Sequence, residues 1–442
     1  MSNIALGVYS AMMRLAQPLL RRKMASRSVL EPGYGQAIAE RFGHYAQPAE
    51  TQSQLVWLHA VSLGETRAAS VLLERLRADH PGLRVLLTHG TATGRAEGQA
   101  LLRPGDVQVW QPWDTRAVVE RFFAHFKPRL GLLMETEVWP CAVAAAAKHG
   151  MRLVLCNGRL SEKSLQQALT LSPLALPAYA ALTAVYAQTE ADADRYRKLG
   201  VASVQVFGNL KFDAALDASQ QATGKAWRQA IARPVVMFAS SREGEEALFL
   251  EKIGAVAQQK RAQAAINNIA IQWLIVPRHP QRFDDVAALV VQSGLTLSRR
   301  SNWRCSPLES IEAMQADVWL GDSLGEMALY YALSRVALLG GSFAPLGGQN
   351  LIEAASAGCP VMMGPHIFNF AEAAQLAEAS GAAFSCADMG SAVDAATQLV
   401  SDEQAHTRAS LAGMAFAARH QGAAQRHAQA LAVYFAPEGS LA

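Results

Sequence analysis

Three carboxylates in the first half of the chain stand where apolar runs end. In "LHAVSLGETRAA" (58–69) the run that begins at Leu55 stops, Ser62-Leu63-Gly64 turns the backbone, and Glu65 opens a helix. An anion there gains roughly 0.3–1 kcal/mol from the helix dipole. The same place, at the carboxyl end of a strand in an open sheet, is also where such sheets bind ligands. In "LLMETEVWP" (132–140) Glu135 and Glu137 follow another apolar run, and they share a face if the strand continues through them. Lys211, in "GNLKFD", is placed to answer these carboxylates with positive charge. By position alone Glu65 is either helix-end chemistry or a catalytic carboxylate, and the residues leave both readings open.

The second half offers groups for a nucleotide. In "LLGGSFAPLGGQNLIEAASAGCPVMMGP" (338–365) a strand ends in Gly340-Gly341, a loop carries Gly347-Gly348, and a helix is expected to start near Asn350. Glycines let backbone N–H groups approach a phosphate at a helix N-terminus. Asn350 and Glu353 are three apart, so they share the first turn, where Glu353 can accept from ribose hydroxyls. No G-x-G-x-x-G follows a strand, so this is not the dinucleotide fingerprint. "IVPRHP" places Arg278 at a strand end, where it can hold a phosphate. His279 beside it is either a cleft group or a turn histidine. "GDSLGEM" places Glu326 after a further strand, where it serves the site or caps a helix. In "SSREGEE" (240–246) Ser240 and Ser241 are expected to cap the helix that follows. Asp192 and Asp194 fall inside a helical pattern on different faces, which argues against a metal pair. Zinc-ligand spacing and a G-x-S-x-G elbow are both absent from the sequence.

These groups need strands to carry them, and the sequence supplies two sets. The first is "LVWLHAV", "RVLLTHG", "VQVWQPW", "RLGLLME", "RLVLCNG", "AVYAQTE" and "SVQVFGN"; the second is "PVVMFASS", "IQWLIVPRH", "ADVWLGDS", "VALLGGSF", "CPVMMGP" and "GAAFSC". Helical segments alternate with them, which predicts parallel sheets covered on both faces. At 442 residues, two domains of about 200 residues are expected. The boundary is placed in the polar stretch from Lys211 to Arg233.

Composition narrows the function further. With 51% hydrophobic and 17% charged residues the chain is globular, and a net charge of +3 without a basic helix argues against nucleic acid. The five cysteines are scattered, which suits a reducing compartment. The N-terminus is apolar from Ile4 to Leu20 apart from Ser10, Arg14 and Gln17, and Arg21, Arg22, Lys23 and Arg27 follow. This pattern predicts either a short signal-anchor or an amphipathic helix lying in a membrane interface beside anionic lipid.

At "HAVSLGE", "METEVWP", "GNLKFD", "VPRHP", "GGQNLIEAA" and "MGPHIFNF" the sequence resembles the lipid A-specific 3-deoxy-D-manno-octulosonic acid (Kdo) transferases of Gram-negative bacteria. Six motifs in order, over nearly the whole chain, carry the resemblance. It implies a GT-B glycosyltransferase fold: two Rossmann-like doubly wound domains facing a cleft, with an N-terminal membrane-associated helix. The corresponding divisions are residues 1–30 for the membrane helix and 31–212 for the acceptor domain. A linker (213–232), a CMP-Kdo donor domain (233–415) and a C-terminal helix (416–442) follow.

The implied activity is inverting, metal-independent and without cofactor: Kdo passes from CMP-Kdo to the tetraacyldisaccharide 1,4'-bisphosphate precursor of lipid A (lipid IVA). The implied location is the cytoplasmic side of the cell inner membrane, in lipopolysaccharide biosynthesis. Carried over by motif, Glu65 is the general base, and Glu135 and Lys211 stabilise the transition state. CMP falls on Pro277 and Arg278, on Leu324, Gly325 and Glu326, and on Asn350, Leu351, Ile352 and Glu353. Gln349 departs from the family, where histidine is frequent. A weaker expectation places acceptor phosphates on Arg21–Arg27 and on the loop Thr88–Gly94, with Arg95 and Thr93 as donors. Rival readings are another GT-B enzyme, such as a UDP-sugar transferase or nucleotide-sugar 2-epimerase, and a non-enzymatic nucleotide-binding module at the membrane.

Overall fold

The computed structural model describes residues 3–213, 216–262, 270–303 and 305–435. The chain forms two compact units. The first takes Met1–Ala214 together with His420–Ala442, and the second takes Ala215–Arg419.

The first unit is built on seven parallel strands: β1 (Leu55–His59), β2 (Arg84–His89), β3 (Val107–Trp110), β4 (Leu130–Met134), β5 (Arg152–Gly158), β6 (Ala184–Ala187) and β7 (Val204–Val206). Their order is β3-β2-β1-β4-β5-β6-β7. Each apolar run feeds both faces, as a strand covered on both sides requires. Leu55, Trp57, Leu86 and Leu133 enter one core. Val56, Leu58, Leu87 and Leu132 enter the other. The chain starts in the middle, adds β2 and β3 on one side, then returns to pair β4 with β1, setting His59 opposite Leu133. That reversal opens a crevice at the carboxyl ends of β1 and β4, the usual ligand position in such sheets.

The second unit repeats the plan with β8 (Val235–Ser241), β9 (Gln272–Pro277), β10 (Leu297–Arg299), β11 (Val318–Leu320), β12 (Val336–Leu339), β13 (Val361–Met363) and β14 (Ala383–Ser385). The order is β10-β11-β9-β8-β12-β13-β14, again parallel. Here the reversal falls between β8 and β12. Thirteen of these strands occupy the expected apolar runs, and β10 is additional.

Two segments differ from expectation. The stretch 213–232, expected as a linker, contains the helix Ala218–Ala230, capped by the Asp217 side chain. It lies so close to the helix Met327–Leu333 that a Cβ on Gly224 would fall 2.4 Å from the Leu329 carbonyl oxygen. The C-terminal segment is not one helix. It bends at Gly422 (φ +92°) between the helices Glu403–His420 and Ala423–Leu431. Ala423, Ala428 and Leu431 then join the core of the first unit.

The N-terminal residues form two helices, Asn3–Leu15 and Gln17–Leu30. Trp113 Nε1 donates to the Met13 carbonyl (2.8 Å) and Ser10 Oγ accepts from the Arg116 N–H (3.0 Å). Leu6 and Met24 point inward. Ile4, Val8, Met12, Leu15 and Leu19, spaced by three or four residues, stay exposed, Ile4 and Leu15 at 80%. Among the described residues no helix is long and apolar enough to cross a membrane.

Candidate active site

The crevice of the first sheet gathers the carboxylates. β1 ends at His59, and Ser62 caps the helix Leu63–Asp79 by accepting from the Glu65 N–H. Glu65 lies in the first turn of that helix and folds back: Oε2 accepts from the Val61 N–H (2.8 Å) and Oε1 from the Ser62 hydroxyl (2.9 Å). Ser62 is the cap, and Glu65 is a first-turn carboxylate bonded back to the turn that precedes the helix. The helix dipole favours the ionised form of this group, and burial and its acidic neighbours oppose it. Burial is the largest influence and pushes the Glu65 carboxyl above the usual range; Glu137 and Glu135 push the same way, against the Val61 and Ser62 hydrogen bonds.

β4 does not continue through "ETE". It ends at Met134, and Glu135 takes a left-handed conformation (φ +55°), so Glu135 and Glu137 do not follow strand alternation. A non-glycine residue in that region costs of order 1–3 kcal/mol. Here the backbone is held on three sides: the Glu135 N–H donates to Cys156 O (3.0 Å), and its carbonyl accepts from Arg159 N (3.2 Å) and Tyr196 Oη (3.1 Å). The strained turn sends the Glu135 carboxylate to Lys211, whose Nζ lies 3.1 Å from Oε1. Lys211 belongs to the short turn Leu210–Asp213, fixed by a bond from Leu210 N to Asn157 Oδ1 (3.0 Å). Glu137 instead accepts from Trp139 Nε1 (2.7 Å) and lies 3.7 Å from Nε2 of the fully buried His59. Burial alone would raise the Glu137 carboxyl; His59, Trp139 and Thr136 together hold it below the usual range.

Of the two expected phosphate donors at the loop Thr88–Gly94, Thr93 is exposed and Arg95 is engaged within the fold. Arg95 pairs with the buried Glu40 (2.7 Å) and lies over Trp110, so it is a structural cation rather than a free phosphate donor. Thr91 caps the helix Ala92–Gln99.

In the second unit the expected nucleotide residues all lie at the carboxyl edge of the sheet. Pro277 ends β9, and Arg278 follows with its N–H on Ser241 O (3.0 Å). His279 is exposed; partial burial, then Arg242, Arg278 and Arg282, lower its pKa, so several cations share this edge. Beyond β11, Leu324 is 73% exposed and Gly325 adopts φ +78°. Glu326 accepts from Arg300 Nη2 (2.8 Å) and from Ser323 Oγ, and it precedes the helix Met327–Leu333 without capping it. Beyond β12, Asn350 Nδ2 donates to Glu353 Oε1 (3.1 Å) and Asn350 Oδ1 accepts from Ile352 N (3.0 Å). Leu351 and Ile352 are buried behind this pair. The helix begins at Ile352 rather than Asn350 and ends at Ser356. Five residues carry little dipole, so charge stabilisation there falls to side chains rather than a helix end. Ser240 and Ser241 are not caps: Ser240 is left-handed (φ +53°) and Ser241 Oγ donates to Glu246.

The family model of 3-deoxy-D-manno-octulosonic-acid transferase (kdotransferase) matches residues 36–214, the part that carries Glu65, Glu135 and Lys211. The 3-deoxy-D-manno-octulosonic acid transferase of Bordetella pertussis is 46% identical over 96% of this chain and 98% of its own. The chain belongs to the Kdo transferase family. Among solved structures, UDP-GlcNAc 2-epimerase from Neisseria meningitidis covers 86% of this chain and 100% of its own with a TM-score of 0.55 at 14% identity. A glycosyltransferase from Rickettsia africae covers 87% of this chain and 98% of its own with a TM-score of 0.54 at 11% identity. At such identities these two show the fold alone, that of GT-B enzymes.

Two residues at the crevices of this Kdo transferase were not singled out from the sequence. His59 was only part of a strand, and its contact with Glu137 spans 78 positions. Glu245 was passed over as one acid among several in "SSREGEE", yet its carboxylate is the most heavily bonded at the second crevice. The signal available was nearness to the carboxyl end of a central strand: His59 closes β1, and Glu245 opens the helix after β8.

Proposed function

We propose that this Kdo transferase is an inverting enzyme that needs no metal and moves Kdo from CMP-Kdo to lipid IVA at the cytoplasmic face of the inner membrane, in lipopolysaccharide synthesis. In this reading the first unit activates the acceptor and the second binds CMP. The acceptor hydroxyl oxygen bonds to the anomeric carbon of Kdo while the bond from that carbon to the phosphate oxygen breaks. CMP leaves with the bonding electrons, and the hydroxyl proton passes to Glu65. Glu135 and Lys211 stabilise the charge that develops, and Arg278 meets the phosphate.

The observation that carries the reading is the convergence at one crevice of Glu65, Glu137 and the Glu135–Lys211 pair. A buried carboxylate whose proton affinity is raised is a better base than an exposed one. The exposed stripe Ile4–Leu19 beside Arg21, Arg22 and Lys23 supports an interfacial helix pair on anionic lipid.

The test is acceptor-dependent release of CMP, with CMP-Kdo generated in situ and lipid IVA added, and the product followed by mass spectrometry. Wild type releases CMP and yields a lipid heavier by whole Kdo units. Release without acceptor, or none at all, overturns the proposal.

A further inference from the structure

The crevice of the second sheet is occupied by an anion that the chain supplies itself. Glu245 opens the helix Glu245–Ala262 and is 1% exposed. Its Oε2 accepts from Gly341 N (2.8 Å) and Arg242 N (3.1 Å), and its Oε1 from Phe343 N (3.0 Å) and Ala344 N (3.1 Å). Four backbone donors from the ends of β8 and β12 thus converge on one carboxylate. Such a nest at a strand end is a ready anion site, of the kind that receives phosphate in other sheets.

The glycine-rich loop is built around this contact. Gly340 passes so close to the end of β8 that a Cβ would fall 2.2 Å from Ser240 O. Gly341 takes φ +71°, and its carbonyl accepts from Gly348 N (2.8 Å). Gly348 is two residues before the Asn350–Glu353 pair. The path from the buried carboxylate to the expected nucleotide residues is therefore three short links: Glu245 to Gly341, Gly341 to Gly348, and Gly348 to Asn350.

We infer that Glu245 is a positioning residue of the donor site: its carboxylate fills the backbone nest after β12, fixes the Gly340–Gly348 loop, and leaves the phosphate of the nucleotide to side chains. The inference rests on the reading that this unit binds CMP. Removing the carboxylate leaves four N–H groups without their acceptor, each costing more than an ordinary hydrogen bond contributes. A small carboxylate ion from solution can take the vacated place, whereas packing alone would gain nothing from it.

The experiment uses the full chain, with CMP binding measured by calorimetry and unfolding by thermal melting. Glu245→Ala is expected to bind CMP at least tenfold more weakly than wild type. Added formate should recover most of that loss and raise the melting temperature of the variant, with neither effect in wild type. Glu245→Gln keeps the volume but turns an amide N–H toward two donors, so it should bind CMP weakly with or without formate. CMP affinity equal to wild type in either variant, or a folded Glu245→Ala protein indifferent to formate in both measurements, overturns the inference. Absence of CMP binding in wild type instead overturns the donor reading. The formate-dependent melting then still decides whether Glu245 is the anion that orders the loop.

Discussion

At the residue scale the site is a problem of keeping several acids apart in function while close in space. Glu65 is the acid whose proton affinity is raised, by burial first and then by Glu137 and Glu135. Glu137 is held below the usual range despite its burial, through His59, Trp139 and Thr136. Glu135 is committed to Lys211. Replacing Glu65 by glutamine removes the proton acceptor but not its shape, so kcat should fall by about 10²–10⁴ with CMP affinity retained. Steady-state rates beside calorimetry check this; an unchanged kcat would reduce Glu65 to a structural carboxylate of the first helical turn.

A pH profile separates the roles further. Activity needs Glu65 as carboxylate, so kcat/KM should rise with pH as that group ionises, above the ordinary carboxylate range. Glu137→Gln removes the stronger of the two neighbouring charges that oppose ionisation, so the acid limb should move to lower pH. Movement to higher pH, or none, would show that Glu137 does not act on Glu65. Lys211→Met should lower kcat by about 10²–10³, the usual cost of losing one preorganised stabilising group.

At the element scale the decisive features are the ends of strands rather than the strands. The apolar runs were legible because a parallel strand is buried on both faces and reads as continuous Val, Leu and Ile. β10 was not, since Leu297–Arg299 is three half-buried residues at the sheet edge. The helix Ala218–Ala230 read as a linker because close approach through Gly224 lets it pack with Trp227 as its main apolar side chain. Within the site, Glu65, Glu135 and Lys211 could be named from sequence, but not the backbone turn that parts Glu135 from Glu137. That turn is fixed by Cys156 and Arg159, brought there by the pairing of β4 with β5, and by Tyr196 from the helix Glu190–Lys198. The same logic predicts that Gly340→Ala is costly. A methyl group there meets the backbone of Ser240, which cannot rotate away, so stability should drop by about 1–3 kcal/mol. Chemical denaturation checks this, and an unaltered midpoint would show that the two strand ends can separate.

At the scale of the whole molecule the N-terminal helices present an exposed apolar stripe, and the proposed membrane contact is tested there. Apolar side chains at Ile4, Val8, Met12 and Leu15 face outward beside exposed arginines. Changing all four to serine should abolish flotation with vesicles containing phosphatidylglycerol, while CMP binding stays intact. For the unchanged protein, rising salt should weaken that flotation and alkaline carbonate should strip the protein from membranes. Resistance to carbonate would favour a spanning anchor.

The return of the C-terminal segment to the first unit has a further consequence. Asp213 accepts from Gly422 N and Ala424 N, His427 Nε2 accepts from Asn157 N (3.0 Å), and Leu431 is fully buried beneath the first sheet. A ribosome therefore delivers the closing piece of the first unit only after the whole of residues 215–419. At about 5–20 residues per second that is a wait of roughly 10–40 s, during which one face of the nascent sheet lacks its cover. Newborn chains should spend that interval as clients of chaperones, and premature termination before Gly422 should harm the half of the protein that was made first.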